Sequence, residues 1–128
     1  ASMVLRANRN KKSPASVVGY SIRVGNPEQG KGKKAKALRS PDPLDQEVND
    51  DEWFTLHGIV VGNRVVIRLN ERTTADFVDS AHKQASGRLA LIRVGSAGVL
   101  FRNVRIQVLP ADEAAAWKEV RKTVPDLK

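Results

Sequence analysis

Residues 52–70 read EWFTLHGIVVGNRVVIRLN, two apolar runs joined by Gly62-Asn63. Both joining residues tolerate positive φ, and a Gly/Asn pair between strand-like runs is a tight-hairpin signal. Trp53 to Val61 is therefore predicted as one strand and Arg64 to Asn70 as the next. In the second run Val65, Ile67 and Leu69 alternate with Arg64, Val66, Arg68 and Asn70. A period of two sends the first set to one face of a sheet. The expectation is a core beneath that face and a wet or ligand-facing surface on the other.

The same reading extends outward. TTADFV at 73–78 is a further short strand. GRLALIRVGSAGVLFRNVRIQVL at 87–109 gives a last pair, Gly87 to Val94 and Val99 to Leu109, around Gly95-Ser96-Ala97-Gly98. In its second member Val104, Ile106 and Val108 alternate with Asn103, Arg105 and Gln107. Upstream, MVLRA at 3–7 and VVGYSIRV at 17–24 read as strands around a polar loop, Asn8 to Ser16. Gly25 to Lys36 is a long Gly/Lys loop. Ala37 to Asp51, interrupted by Pro41 and Pro43, is irregular with room for one short edge strand. The tail changes period: DEAAAWKEVRK at 112–122 is rich in helix formers, acidic at its start and basic at its end, as a helix dipole favours. Trp117, Val120 and Val124 would share one face, docked on the sheets or leading into a linker. The fold class expected is all-β, an antiparallel β-sandwich (residues 1–110) followed by a short C-terminal helix and tail (residues 111–128).

The chain of 128 residues is long enough for one domain with a core. It has no cysteine, which excludes disulfide staples, zinc–thiolate sites and thiol catalysis. No apolar run approaches the roughly 20 residues that cross a bilayer, so no membrane insertion is expected. Ala1 to Asn8 is too short for a signal peptide and carries Arg6; a mature exported protein would look the same. The net charge of +8 is uneven: residues 1–40 hold ten Lys/Arg and only Glu28, whereas residues 41–128 hold twelve Lys/Arg and thirteen acids.

At Glu52-Trp53 the chain meets a family pattern. EWFTLHGIVVGNRVVIRLNE resembles E-W-N-x-Y-x-I-x-x-x-G-N-x-I-x-x-x-L-N-G, through Glu52, Trp53, Gly62, Asn63 and Asn70. GRLALIRVGSAGVLFRNVRIQVL resembles G-x-I-x-L-Q-x-H-G-x-x-V-x-F-R-N-I-R-I-x-x-L, most specifically through Phe101 to Ile106. VGYSIRV is similar to the pattern's G-Y-E-V-Q-I. These are strings of the 3-keto-disaccharide hydrolase family, and the resemblance covers about residues 3–109. It implies a concanavalin A-like jelly roll, a carbohydrate partner and an extracytoplasmic (periplasmic or secreted) bacterial setting. The family pattern carries further N-terminal strands, so the resemblance implies an incomplete sandwich with exposed edges, prone to homo-oligomer formation or strand-swapped dimers.

The polar positions of the family pattern are substituted. Its acid and Gln on the G-Y-E-V-Q-I strand are Ser21 and Arg23, and its Gln and His in the L-Q-x-H-G string are Ile92 and Val94. Glycosidic cleavage needs a general acid and a base or metal on one face. The expectation is a binding or accessory domain, with no assigned catalytic residue, against the alternatives of an active hydrolase of 3-keto-glycosides and a structural or oligomerisation module without ligand. Arg6, Tyr20, Ser21, Arg23 and His57 are the candidate substrate-binding face.

Other residues weigh less. The strand-borne arginines, among them Arg64, Arg68, Arg93 and Arg102, would grip an acidic sugar if they shared a face, and otherwise are solvated outward residues. His57 and His82 lack a carboxylate pattern, so no metal site and no cofactor are expected. Asp50-Asp51-Glu52, Asp76 and Asp79 read as turn chemistry. Trp53 is expected in the core before it is expected to stack on sugar. Lys31 to Lys36, with Lys11 and Lys12, sit in Gly-rich sequence without interleaved aromatics, a poor match to nucleic-acid binders.

Overall fold

The computed structural model describes residues 2–9, 17–25, 46–49, 51–80, 87–92 and 100–127. Strands β1 (Ser2–Arg9), β2 (Val17–Gly25), β3 (Gln46–Glu47) and β7 (Arg88–Ile92) form one sheet in the order β3-β2-β1-β7. Strands β4 (Leu56–Val61), β5 (Arg64–Leu69) and β6 (Arg72–Val78) form a second, in sequence order. All described pairings are antiparallel except the short β2–β3 contact. The helix α1 (Glu113–Thr123) closes the chain. The fold is thus the expected all-β sandwich with a C-terminal helix, and its one short edge strand falls within the Pro-containing stretch.

Both hairpins of the second sheet use left-handed backbone. Gly62 has φ +58°, as the Gly-Asn signal requires, and the β5–β6 turn is made by Asn70 (φ 49°) and Glu71 (φ 67°). The second turn carries no glycine, so its signal is weaker in sequence. Asn70 offsets the strain: its side-chain Oδ1 accepts from the Thr55 amide at 2.9 Å, and its own amide donates to the Thr55 carbonyl at 2.9 Å.

Two cores flank the second sheet. Between the sheets, Tyr20 and Ile22 of β2 meet Val65, Ile67 and Ala75, with Met3, Leu5, Leu56, Val60 and Phe77 around them. On the outer side, Ile59, Val61 and Val66 meet Ala116, Val120, Val124 and Leu127, with Leu109 and Trp117 at the margin. The order is therefore sheet, sheet, helix. Each Val or Ile moved from water into these layers contributes roughly 1.5–3 kcal/mol.

The wet face expected on β5 is corrected by this arrangement. Val65, Val66 and Ile67 are all 0% exposed. The cause is α1, which docks on the face that Arg64, Val66 and Arg68 share. Asp112 starts the helix, its Oδ2 accepting from the Ala115 amide at 3.0 Å, and Arg121 and Lys122 end it. Burial of Arg68 is tolerated because Nη1 donates to Thr73 Oγ1 (2.9 Å) and Asp126 Oδ2 (3.2 Å), and Nη2 to the Glu71 carbonyl. Arg64 makes a two-pronged contact with Asp76, Nε to Oδ1 at 2.9 Å and Nη2 to Oδ2 at 2.7 Å, and its guanidinium lies 4.6 Å from the Trp117 ring centre.

A second correction concerns the end of the sandwich. Val99 to Leu109 was expected as the final strand, yet residues 100–109 belong to no sheet. Leu100, Phe101, Val104, Ile106 and Val108 are exposed, Val108 at 90%. Alternation makes a segment competent to pair; here no neighbouring strand among the described residues is in place to pair with it. Trp53 is corrected in the same way. It precedes β4 rather than starting it, and it is 53% exposed rather than in the core. The basic stretch 31–36, Lys11, Lys12, His82, Arg93, Val94 and Asp50 lie outside the described residues.

Candidate functional site

The residues predicted for the binding face divide among separate surfaces. Tyr20 points inward from β2 and is buried. Ser21 and Arg23, of opposite parity on the same strand, stand half-buried on the outer face of the first sheet. His57 lies on the second sheet, paired in register with Arg68. Of the predicted set, the structure brings Arg6 beside Tyr20, and leaves Ser21 and Arg23 together on the opposite face of that sheet.

Arg6 sits where β1 is irregular. Its pairing register with β2 shifts between Leu5 and Asn8, and Arg6 itself has φ 51°. A bulge of this kind re-aims one side chain, and positive φ at a non-glycine residue marks backbone held by its surroundings. The guanidinium reaches across to the other sheet, Nη1 donating to the Gly62 carbonyl at 2.6 Å. Gly87 passes so close that any Cβ there would enter the Arg6 backbone. The Tyr20 hydroxyl donates to Asp79 Oδ2 at 2.7 Å. Burial raises the Tyr20 pKa above its ordinary value, and the Asp79 carboxylate adds to the rise, while Arg6 beside the phenol pulls the other way. Arg6, Tyr20 and Asp79 therefore clamp the two sheets, which is a structural task for two of the predicted ligand residues.

Beside this clamp lies a cavity of about 370 Å³, lined by Arg6, Val60, Val61, Gly62, Gln107, Leu109 and Glu113 among others. The Glu113 carboxylate occupies the space where a side chain at Gly62 would go. Arg6, Gln107 and Glu113 give this cavity a donor, an amide and an acceptor beside Val60, Val61 and Leu109.

At the opposite end of β4, Trp53 meets Arg102, whose guanidinium lies 3.8 Å from the ring centre. The indole thus has a cation on one face while the residue is 53% exposed. Sequence reasoning missed this pair because both residues fall in framework motifs, and a motif does not tell which framework residues stay uncovered.

His57 does not form an acid/base pair. Desolvation by the surrounding protein lowers its pKa, and Arg68 across the strand lowers it further, even though the residue is exposed by area. Among the described residues no three His, Cys, Asp or Glu side chains gather where they could hold a metal ion.

With this geometry in place, residues 1–107 match the family model described as a 3-keto-alpha-glucoside-1,2-lyase-like domain. The chain belongs to this family. The match spans the sandwich and most of the 100–109 segment, and stops short of α1. No curated protein and no solved structure matches the chain. Membership in the lyase-like family makes the domain carbohydrate-related. The positions where the family pattern resembled above has polar residues carry Ser21, Arg23 and Ile92, of which Ser21 and Arg23 lie on the outer face of the four-stranded sheet.

Proposed function

We propose that this domain recognises carbohydrate in a binding or accessory role, and that Trp53 carries the contact. The supporting observation is the half-exposed indole held against Arg102 at 3.8 Å. A pyranose ring has one face of C–H groups that packs on an aromatic face, and a large rigid aromatic supplies contact area at little conformational cost. Arg102 fixes the ring from behind and leaves its guanidinium edge to donate to sugar hydroxyls. From the predicted set, Arg6 stays in the proposal as a polar wall of the nearby cavity. The substitution of the family pattern's polar positions by Ser21, Arg23, Ile92 and Val94 supports recognition over turnover. A periplasmic or secreted setting accompanies this reading; among the described residues no helix is long and apolar enough to cross a membrane.

Titration with a panel of disaccharides and their 3-keto forms, followed by calorimetry, tests the proposal. Saturable binding lost at least tenfold in Trp53→Ala, with an unchanged circular dichroism spectrum, is the expected result. Equal binding by the variant would overturn the role of Trp53. Released monosaccharide would establish the hydrolase reading instead, and no binding across the panel would leave the structural module.

A further inference from the structure

The 100–109 segment runs beside β4 without pairing with it. Arg102 stacks on Trp53, just before β4 begins, while Gln107 and Leu109 line one cavity with Val60 and Val61, where β4 ends. The two tracks therefore run in the same direction. Val60 belongs to the core between the sheets and Val61 to the core under α1, so these residues point to opposite faces of β4. Both line the 370 Å³ cavity, and no β5 residue does. The cavity thus lies against the edge of β4 that is unpaired among the described residues.

The first sheet overhangs the same place. Leu5 of β1 packs directly on Gly58 of β4. β7 lies on the far side of β1 from β2, and so projects beyond β4. Leu91 of β7 pairs with Met3 on the inward face, yet it is exposed. The β4 edge, unpaired among the described residues, the overhanging β7 and a parallel track of exposed Val104, Ile106 and Val108 surround this space.

We propose that this space is a docking slot for one extended strand of a partner polypeptide, running antiparallel to both β4 and residues 100–109. A strand between two parallel tracks meets each of them antiparallel, and its backbone groups satisfy both edges, as in recognition by strand addition. The slot also specifies the partner's side chains. Alternate positions would be apolar, opposite Val104, Ile106 and Val108, and those between would be acidic, opposite Arg105. Cross-strand pairs of opposite charge stabilise and like charges destabilise. Residues 100–109 contain Arg102 and Arg105 and no acid, so a second copy pairing through this segment brings arginines together, and charge argues for an acidic partner. The proposal stands apart from sugar binding, since the slot uses backbone edges and Trp53 only closes one end.

The test uses the full chain and labelled peptides of about eight residues, an ordinary strand length. Fluorescence anisotropy compares alternating Val/Glu, alternating Val/Lys, and Val/Glu with a central proline. The expected result is saturable binding of the Val/Glu peptide alone. Proline removes a ladder donor and is expected to abolish binding. Arg105→Glu should weaken the Val/Glu peptide about tenfold and favour the Val/Lys peptide. Arg105 is exposed, so this variant leaves the fold intact. Equal binding of all three peptides, or of none, overturns the proposal. A dimer by light scattering that Ile106→Asp dissolves also overturns it, by making a second copy the occupant.

Discussion

β5 and the 100–109 segment are written alike and end differently. RVVIRL places Val65 and Ile67 in alternation with arginines; RNVRIQVL does the same with Val104, Ile106 and Val108. β5 is paired on both edges and covered on both faces, by the first sheet and by α1. The 100–109 segment is paired on neither edge within the described residues, and Ile106 is 71% exposed. Alternation encodes the ability to be a strand. Burial comes from neighbours, which the segment's own residues do not specify.

The largest expected effect tests that contrast by truncation. Ile67→Ala should cost about 2–5 kcal/mol, from lost transfer energy and a cavity in close-packed surroundings. Ile106→Ala should change stability by less than about 0.5 kcal/mol, as exposed substitutions usually do. Urea unfolding of both variants supplies the comparison, and equal losses would break it.

Loosening α1 should move β5 toward the condition of the exposed segment. Asp112→Ala removes the N-cap oxygen that holds the Ala115 amide, and should cost about 1 kcal/mol. Exchange at the β5 amides should rise with it, because the helix covers one of their faces. A variant with full stability would mean that the helix contributes little to that burial.

The smallest effect is on pH dependence. His57 has a lowered pKa in the folded state, first from desolvation and then from Arg68. The unfolded chain then takes up a proton more readily than the folded one. Stability should be full above the unfolded value of about 6.5 and decline as pH falls through that value and the lower folded one. His57→Gln should flatten this decline in thermal melts recorded from neutral to mildly acid pH. An unchanged slope would assign it to other groups.

Much of the fold was legible because its signals are local. Gly62-Asn63 marks the hairpin, Tyr20, Ile22 and Val24 mark one face of β2, and Asp112 with Val120 and Val124 marks the helix and its docking stripe. What escaped depends on long-range placement. Arg64 and Arg68 look like a solvated face, and only Asp76, Thr73 and Asp126 brought alongside them make their burial tolerable. Trp53 looks like core, yet it lies just before β4 and is half-exposed. Tyr20 and Arg6 look like ligand contacts, but each has a partner far along the chain: Asp79 for the phenol and the Gly62 carbonyl for the guanidinium. The resemblance located the family without locating a working face, since a motif does not tell which of its matched residues stay uncovered.

Backbone amide hydrogen exchange of the isolated chain, resolved residue by residue, tests the central contrast most directly. Amides of residues 64–69 should exchange only through global unfolding, and those of residues 100–109 at rates close to an unstructured peptide. Comparable protection of the two segments, at a concentration where the chain is monomeric, would contradict the account.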